Sequence, residues 1–202
     1  MPHSNLFETE LILGNSNSKF SGVTSTMLQV LKYQKVLIPV SVLGAHHLPK
    51  DIKSINFLEA LRLCQHPLTN GKARVFHARR NNEMLQALAL KKLSPNPLKI
   101  IFTSTGQRQH TWITRWLIKQ SDAVISTCTA AASYIQGGAD IIIPHGVDLE
   151  RYRPSIDRSA LWSKLGFPGK YGIGIFGRVR QQKGVDVLID AILPILKDFP
   201  DF

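Results

Sequence analysis

Short apolar runs alternate with longer amphipathic stretches along most of the chain. The runs at 10–13, 35–43, 73–77, 99–103, 123–126 and 140–144 are short and do not alternate with polar positions. That is the pattern of strands buried on both faces of a sheet. Between them the apolar positions recur at helical spacing. Val23, Met27, Val30 and Leu31 mark a helix over 21–33. Residues 57–63 form a short helix, Met84 and Leu88 mark one over 80–93, and Trp112, Ile113, Trp116 and Leu117 mark one over 109–120. A further helix is predicted at 129–136. Strand, helix and strand in this order predict an α/β fold, a Rossmann-like doubly wound parallel sheet with helices on both faces.

The pattern changes after residue 144. Gly146, Pro154, Pro168 and Gly169 punctuate a stretch with one helical piece at 158–165, which reads as a connection between domains. A new strand is predicted at 172–179, and a new amphipathic helix at 184–197 carries Val185, Leu188, Ile189, Ile192 and Ile195. The predicted organisation is an N-terminal domain over 1–150, a linker over 151–169 and the start of a second domain over 170–202. One strand and one helix cannot bury a core of their own. Either that unit docks on the first domain, or the chain is a truncated form of a two-domain protein.

Charge adds a preference for anions. The 202 residues hold 25 Lys+Arg against 14 Asp+Glu, for a net charge of +11. The excess is diffuse. Its densest stretch holds Lys72, Arg74, Arg79, Arg80, Lys91 and Lys92, with Glu83 the one acid among them. No zinc-finger spacing, basic zipper or aromatic RNA-binding signature is present, so no specific nucleic-acid partner is expected. An anionic membrane surface or a phosphorylated substrate suits the charge better. No apolar run reaches the roughly 18 residues of a membrane span. The opening MPHSNLFETE lacks the apolar core of a secretory signal, so a cytoplasmic protein is expected. Cys64 and Cys128 are too few for a disulfide framework and read as two small buried hydrophobes.

The candidate chemistry lies in the turns that follow strands. Gly172, Gly174 and Gly177 spell a GxGxxG, but the glycines fall within the predicted strand and Lys197 stands where the acid should be. The match is read as accidental. Residues 177–184 run from the end of that strand to a helix start, where phosphate is attracted. There Arg178 and Lys183 can grip a diphosphate and stabilise charge on its departure without a metal. The stretch from His77 through Arg79 and Asn81 to Glu83 occupies another strand-to-helix turn, at the sheet edge where a cleft would lie. Asn81 or Asn82 is equally suited to capping the helix there. Residues 103–110 follow the next strand and bring Ser104 and His110 to the same edge, His110 being a polar cleft residue or a structural one. His46 and His47 have no partner at ligand spacing, so no metal site is expected.

Two of these segments together carry a resemblance. Ile143-Pro144-His145-Gly146-Val147-Asp148, followed by Arg151-Tyr152-Arg153-Pro154, resembles the interdomain signature of retaining glycosyltransferases of the GT-B fold, the large group 1 family. Gly177-Arg178 and Lys183-Gly184, ahead of an apolar helix, resemble that family's donor-phosphate motif. The stretch from Phe20 through Ser21, Gly22 and Thr24 to Thr26, the 77–84 stretch, and Phe102-Thr103-Ser104 with His110-Thr111 are similar to a narrower set, the lipopolysaccharide core mannosyltransferases.

The resemblance implies a first domain that binds acceptor and a second that binds a nucleotide sugar. It implies Arg178 and Lys183 on the donor diphosphate, with Gly22 lining the cleft. Ser21, Thr24, His77, Arg79, Asn81, Glu83 and Ser104 become cleft or acceptor candidates, and His110 the catalytic candidate. GDP-mannose is implied as co-substrate with no further cofactor, and a lipid-linked core oligosaccharide as acceptor. The implied place of work is the inner face of the cytoplasmic membrane. The family also carries two glutamates, seven residues apart, deep in its second domain, whereas no Glu follows Glu150 here. The chain is therefore expected to be an acceptor domain plus the first βα unit of a donor domain, which puts catalysis by it alone in doubt. The alternative from charge is a non-catalytic basic module that binds anionic membrane or nucleic acid.

Overall fold

The computed structural model describes residues 6–150, 152–167, 169–177, 179 and 181–199. It divides into two units, Met1–Asp148 and Leu149–Phe202. In the first unit the order is β1 (Leu11–Gly14), α1 (Gly22–Leu37), β2 (Val40–Leu43), β3 (Ser54–Ile55), α2 (Phe57–Gln65) and β4 (Arg74–Ala78). It continues with α3 (Asn81–Leu93), β5 (Leu98–Ser104), α4 (Trp112–Lys119), β6 (Ala123–Ser126), α5 (Thr129–Ala132) and β7 (Ile141–Ile142).

The strands form one parallel sheet in the order β3-β2-β1-β4-β5-β6-β7. From β1 the chain winds outward through β2 and β3, then returns to lay β4 on the other side of β1. This is the doubly wound sheet that the alternation predicts. Burial on both faces is visible within β1. Ile12 packs into a core with α2, α3 and α4, through Leu63, Met84 and Leu117 among others. Its neighbours Leu11 and Leu13 join a second core with Met27 and Leu31 of α1.

Two local expectations are corrected. The strand predicted at 35–43 begins only at Val40, because α1 runs on to Leu37. Ile38 ends the helix in an extended conformation, as the residue before Pro39 is bound to do. The helix predicted at 129–136 stops at Ala132, and Gly137 and Gly138 both turn with positive φ. Sequence patterning also passes over β3, a two-residue edge strand on β2.

Cys64 is buried in the core, as read, but Cys128 is not. It is the N-cap of α5, where its Sγ accepts the Ala131 N–H. Arg74 is the least expected core residue. It is buried at the start of β4, where its guanidinium donates to the carbonyls of Thr9, Leu63, His66 and Phe7 at 2.6–3.1 Å. Burial lowers its pKa. Asp122, just before β6, ties α3 to β5. It meets Lys91 of α3, Lys99 of β5 and the Ile100 amide. Burial alone would raise its carboxyl, but these donors hold it at about 2.

The second unit contains α6 (Arg158–Lys164), a 3-10 turn at Gln181–Lys183 and α7 (Val185–Ile195). Asp157 caps α6 by accepting the Ala160 N–H at 2.8 Å. The strand predicted at 172–179 does not form among the described residues. A strand's N–H and C=O groups need a neighbouring strand, and the described residues of this unit supply none.

Candidate functional site

The carboxyl ends of the strands form the working edge of the first unit, as in other open α/β sheets. A cleft of about 170 Å³ lies there. Its walls are Val23, Thr26, Val30 and Gln34 of α1, His77 and Arg79 at the end of β4, and Thr103 and Thr105 at the end of β5. Ile125 and Thr127 from β6, and residues 143–146 after β7, complete it. A more open hollow of about 510 Å³ lies at the ends of β1 and β2, and Asn15, Gly44, His46, Asn82 and Gln86 are among its walls. Asn15 is fully buried there, and its amide donates to the Gly44 and His46 carbonyls.

One ion-pair network lies next to Arg79 of the cleft wall. Glu83, in the first turn of α3, has no exposed surface. Its Oε1 accepts from Arg80 Nη1 at 2.7 Å and from Ser16 Oγ at 3.1 Å. Its Oε2 accepts the Arg79 backbone N–H at 2.8 Å. Arg80 then donates from Nη2 to Ser21 Oγ and Thr24 Oγ1 at 3.1 and 3.0 Å. The first turns of α1 and α3 are thereby tied together. Gly14 permits this, since a Cβ there would stand 2.8 Å from Glu83 Cγ. Ser21 also serves as N-cap of α1.

His77 and Arg79 are held deeper in the cleft. His77 Nε2 lies 2.6 Å from Thr103 Oγ1, and its Nδ1 lies 3.3 Å from Arg79 Nη2. A guanidinium is only a donor, so Nδ1 accepts and the imidazole proton sits on Nε2. Burial, with the Arg79 charge beside it, pushes the His77 pKa well below its usual value. The imidazole is therefore neutral at neutral pH. Burial also brings the Arg79 guanidinium down to about 10.

The structure thus brings Ser21, Thr24, Arg79 and Glu83 into one neighbourhood, with His77 behind them. Glu83 is placed inside the protein and not on the cleft surface. Gly22 opens α1, with nothing within 4 Å of where its Cβ would stand. Asn81 donates to Thr114 Oγ1 of α4. The α3 cap position belongs to Arg80, which makes no side-chain capping bond, so neither Asn81 nor Asn82 takes it. Ser104 is buried, 3.3 Å from His110 Nε2. His110 is not among the residues that line the cleft. Burial and the charges of Arg108 and Arg115 lower its pKa.

In the second unit Arg178 lies outside the described residues. Lys183 ends the 3-10 turn, and its Cε lies 3.6 Å from where a Gly177 Cβ would stand. Gly177 has φ of 143°, a conformation that needs glycine. Sequence alone does not single out Arg80 as the tie between α1 and α3, nor Gln34, Thr105 and Thr127 as cleft walls. Arg80 was legible only as one of two adjacent arginines. The others gave no signal, because each is an ordinary polar residue until the sheet assembles.

The first unit has the strand order and edge cleft of an open, doubly wound α/β sheet. The chain is 40% identical over 197 residues to the lipopolysaccharide core biosynthesis mannosyltransferase LpsB of Rhizobium meliloti (strain 1021), covering 96% of this chain and 55% of that one. It is 39% identical over 190 residues to LpcC of Rhizobium leguminosarum bv. viciae, a protein of the same description.

By sequence this chain is similar to the matched half of lipopolysaccharide core mannosyltransferases.

It spans about half the length of the curated relatives it matches. No protein-family model matches it. Among solved structures it shares the fold of Anabaena Alr3699/HepE in complex with UDP, with a TM-score of 0.70 at 15% identity. That likeness covers 91% of this chain and 57% of that one. The expected fold class is therefore the observed one for the first unit, and no helix among the described residues is long and apolar enough to cross a membrane.

Proposed function

We propose that this chain belongs to a retaining GT-B glycosyltransferase that moves mannose from GDP-mannose to a lipopolysaccharide core oligosaccharide. The observation that carries the reading is the 40% identity to a core mannosyltransferase over nearly the whole chain. The edge cleft of the first unit supports it, because acceptor sugars need hydroxyl-bearing walls and a guanidinium. In this reading the first domain, 1–150, takes the acceptor, 151–169 links, and 170–202 opens the donor domain. Ser21, Gly22, Thr24 and Asn81 border the acceptor approach. Arg178 and Lys183 hold the donor diphosphate, where the lysine acts as a point charge beside a glycine that lets a phosphate approach closely.

The test is incubation of the chain with GDP-mannose and a lipid-linked core acceptor, read by mass spectrometry, with UDP-glucose as the comparison donor. Gain of one hexose from GDP-mannose supports the reading. Failure of both transfer and GDP-mannose binding overturns it. Lys183→Ala should weaken GDP-mannose binding about ten- to a hundredfold, the worth of one hydrogen bond to a charged group. An unchanged Kd by calorimetry would remove Lys183 from the diphosphate site.

The same reading places the enzyme at the inner face of the cytoplasmic membrane. The support is α4, which exposes Trp112 by 71%, Trp116 by 50% and Ile113 by 44%. Arg108, Arg115 and Lys119 accompany them, and residues 105–121 contain no acid. Aromatic and basic residues together favour an anionic lipid surface. Trp112→Ala with Trp116→Ala should lower partition into anionic vesicles by about tenfold or more, from apolar area lost to the lipid. Sedimentation with vesicles checks this, and an unchanged bound fraction would show that α4 does not dock.

A further inference from the structure

The open hollow at the carboxyl ends of β1 and β2 runs against the charge of the chain. The net charge is +11, yet the residues that line this hollow include no Lys or Arg, and Glu59 is the one carboxylate among them. Such a wall disfavours anions and suits a neutral ligand rich in hydrogen bonds. Its volume of about 510 Å³ falls in the range of about 300–1,000 Å³ usual for small-molecule sites. Its polar groups come from three elements. Glu59 Oε2 of α2 accepts the Asn56 N–H at 2.7 Å, which leaves Oε1 to accept from a ligand. Asn82 Oδ1 of α3 accepts the Glu83 N–H at 3.1 Å, so its Nδ2 is left to donate. Gln86 stands one turn later on the same side of α3, and Ser54 of β3 adds a hydroxyl. Phe57 packs against the main core and also lines the hollow. The loop after β2 is set in advance. Asn15 donates to the Gly44 and His46 carbonyls, and the Gly44 N–H donates to the Ile55 carbonyl at 3.1 Å. Gly44 has φ of 108°, and a Cβ there would collide with the Asn15 carbonyl. A wall fixed before binding lowers the cost of ordering it around a ligand.

We propose that this hollow is a carbohydrate subsite for a neutral pyranose ring, separate from the cleft at the ends of β4 and β5. The proposal rests on the reading that the first unit binds acceptor, and it adds a second place of contact for an acceptor longer than one ring. A pyranose presents hydroxyls that both donate and accept, and a face of C–H groups. Glu59 accepts from such hydroxyls, Asn82 and Gln86 donate to them, and Ser54 does either. Phe57 offers its ring to the C–H face. A few fixed polar groups beside an apolar wall are what orient a small ligand. Ser16 joins the hollow to the rest of the acceptor approach. It lines the hollow, and its hydroxyl donates to Glu83, the carboxylate that also holds Arg80 against Ser21 and Thr24. A ring carrying a carboxylate or phosphate would meet Glu59 with no guanidinium or ammonium in the wall to offset it.

The test titrates the full chain, labelled with nitrogen-15, with mannobiose and with glucuronate at fixed ionic strength, and follows amide resonances. Mannobiose should shift the Gly44, Ala45 and His46 amides and the side-chain amides of Asn82 and Gln86. Glucuronate should bind there at least tenfold more weakly. Asn82→Ala with Gln86→Ala should weaken mannobiose by about tenfold or more, from the loss of two neutral hydrogen bonds. Glu59→Gln keeps a side chain that can complete the α2 capping box, so it should fold, hold mannobiose within a few fold, and admit glucuronate. Four results would overturn the proposal: no shift in the hollow with mannobiose at tens of millimolar, shifts confined to Thr105 and Thr127 of the other cleft, equal binding of glucuronate by the parent chain, or unchanged affinity in the double variant. If the double variant fails to fold, the map of shifts in the parent chain decides. The titration needs no donor, so its failure is distinct from failure of the transferase reading, which GDP-mannose binding and transfer decide.

Discussion

Glu83→Gln should destabilise the first unit by about 3–5 kcal/mol, the cost of removing one partner from a buried ion pair. The carboxylate has no exposed surface and is the anion between two arginines. Glutamine keeps its shape, but it presents an N–H2 group to a pocket that already holds donors from Arg80, Ser16 and the Arg79 backbone. The change would also release Arg80 from its position against Ser21 and Thr24. Urea denaturation followed by circular dichroism measures the effect. A loss below about 1 kcal/mol would show that Glu83 does not compensate the arginines, and would place it with ordinary surface pairs. The expected loss should appear in nucleotide-free protein, which separates it from any effect on ligand.

Arg74→Met comes next, with an expected cost of about 2–4 kcal/mol, from several buried carbonyls that lose a charged donor. Methionine reproduces the apolar stem but none of the hydrogen bonds. The four acceptors lie in separate places. Phe7 and Thr9 precede β1, whereas Leu63 and His66 end α2. Arg74 therefore fastens the 3-10 turn at Leu6–Glu8 and the last turn of α2 to the start of β4. Hydrogen exchange should show faster exchange at the Thr9 and His66 amides, alongside the global loss in urea. Unchanged exchange at both amides would show that the guanidinium is not what holds these segments.

Much of the fold was legible from local pattern. The pattern places the strand 123–126 at its observed bounds and the start of α3 within one residue. The two misread strands share one cause. At 35–43 the residues before Pro39 are good strand formers, yet α1 was already running and continued through them. At 172–179 the sequence has strand composition, but no described neighbour offers a ladder. Whether a segment is a strand depends on a partner that is remote in sequence, and propensity does not see it. The cleft was legible only in part. The sequence singles out His77 and Arg79, which line the cleft, and Ser21 and Thr24, which lie beside it against Arg80. Glu83 was placed among cleft residues and is instead the buried anion beneath them. His110 was the catalytic candidate, and it packs on Ser104 away from the cleft wall.

By itself the sequence determined a parallel α/β chain, because apolar runs buried on both faces require helices above and below. It also determined kinship, because two spaced motifs and the stretches around them carry it. Tertiary structure alone decided which charges meet. Gly14, Ser16, Ser21, Thr24, Arg80 and Glu83 come from both sides of the sheet's reversal between β1 and β4, and only that crossing brings them together. Hydrophobic periodicity fixes which face a residue takes on its own element. Charge pairing is set by distance and burial between elements, and these exist only once the sheet has formed.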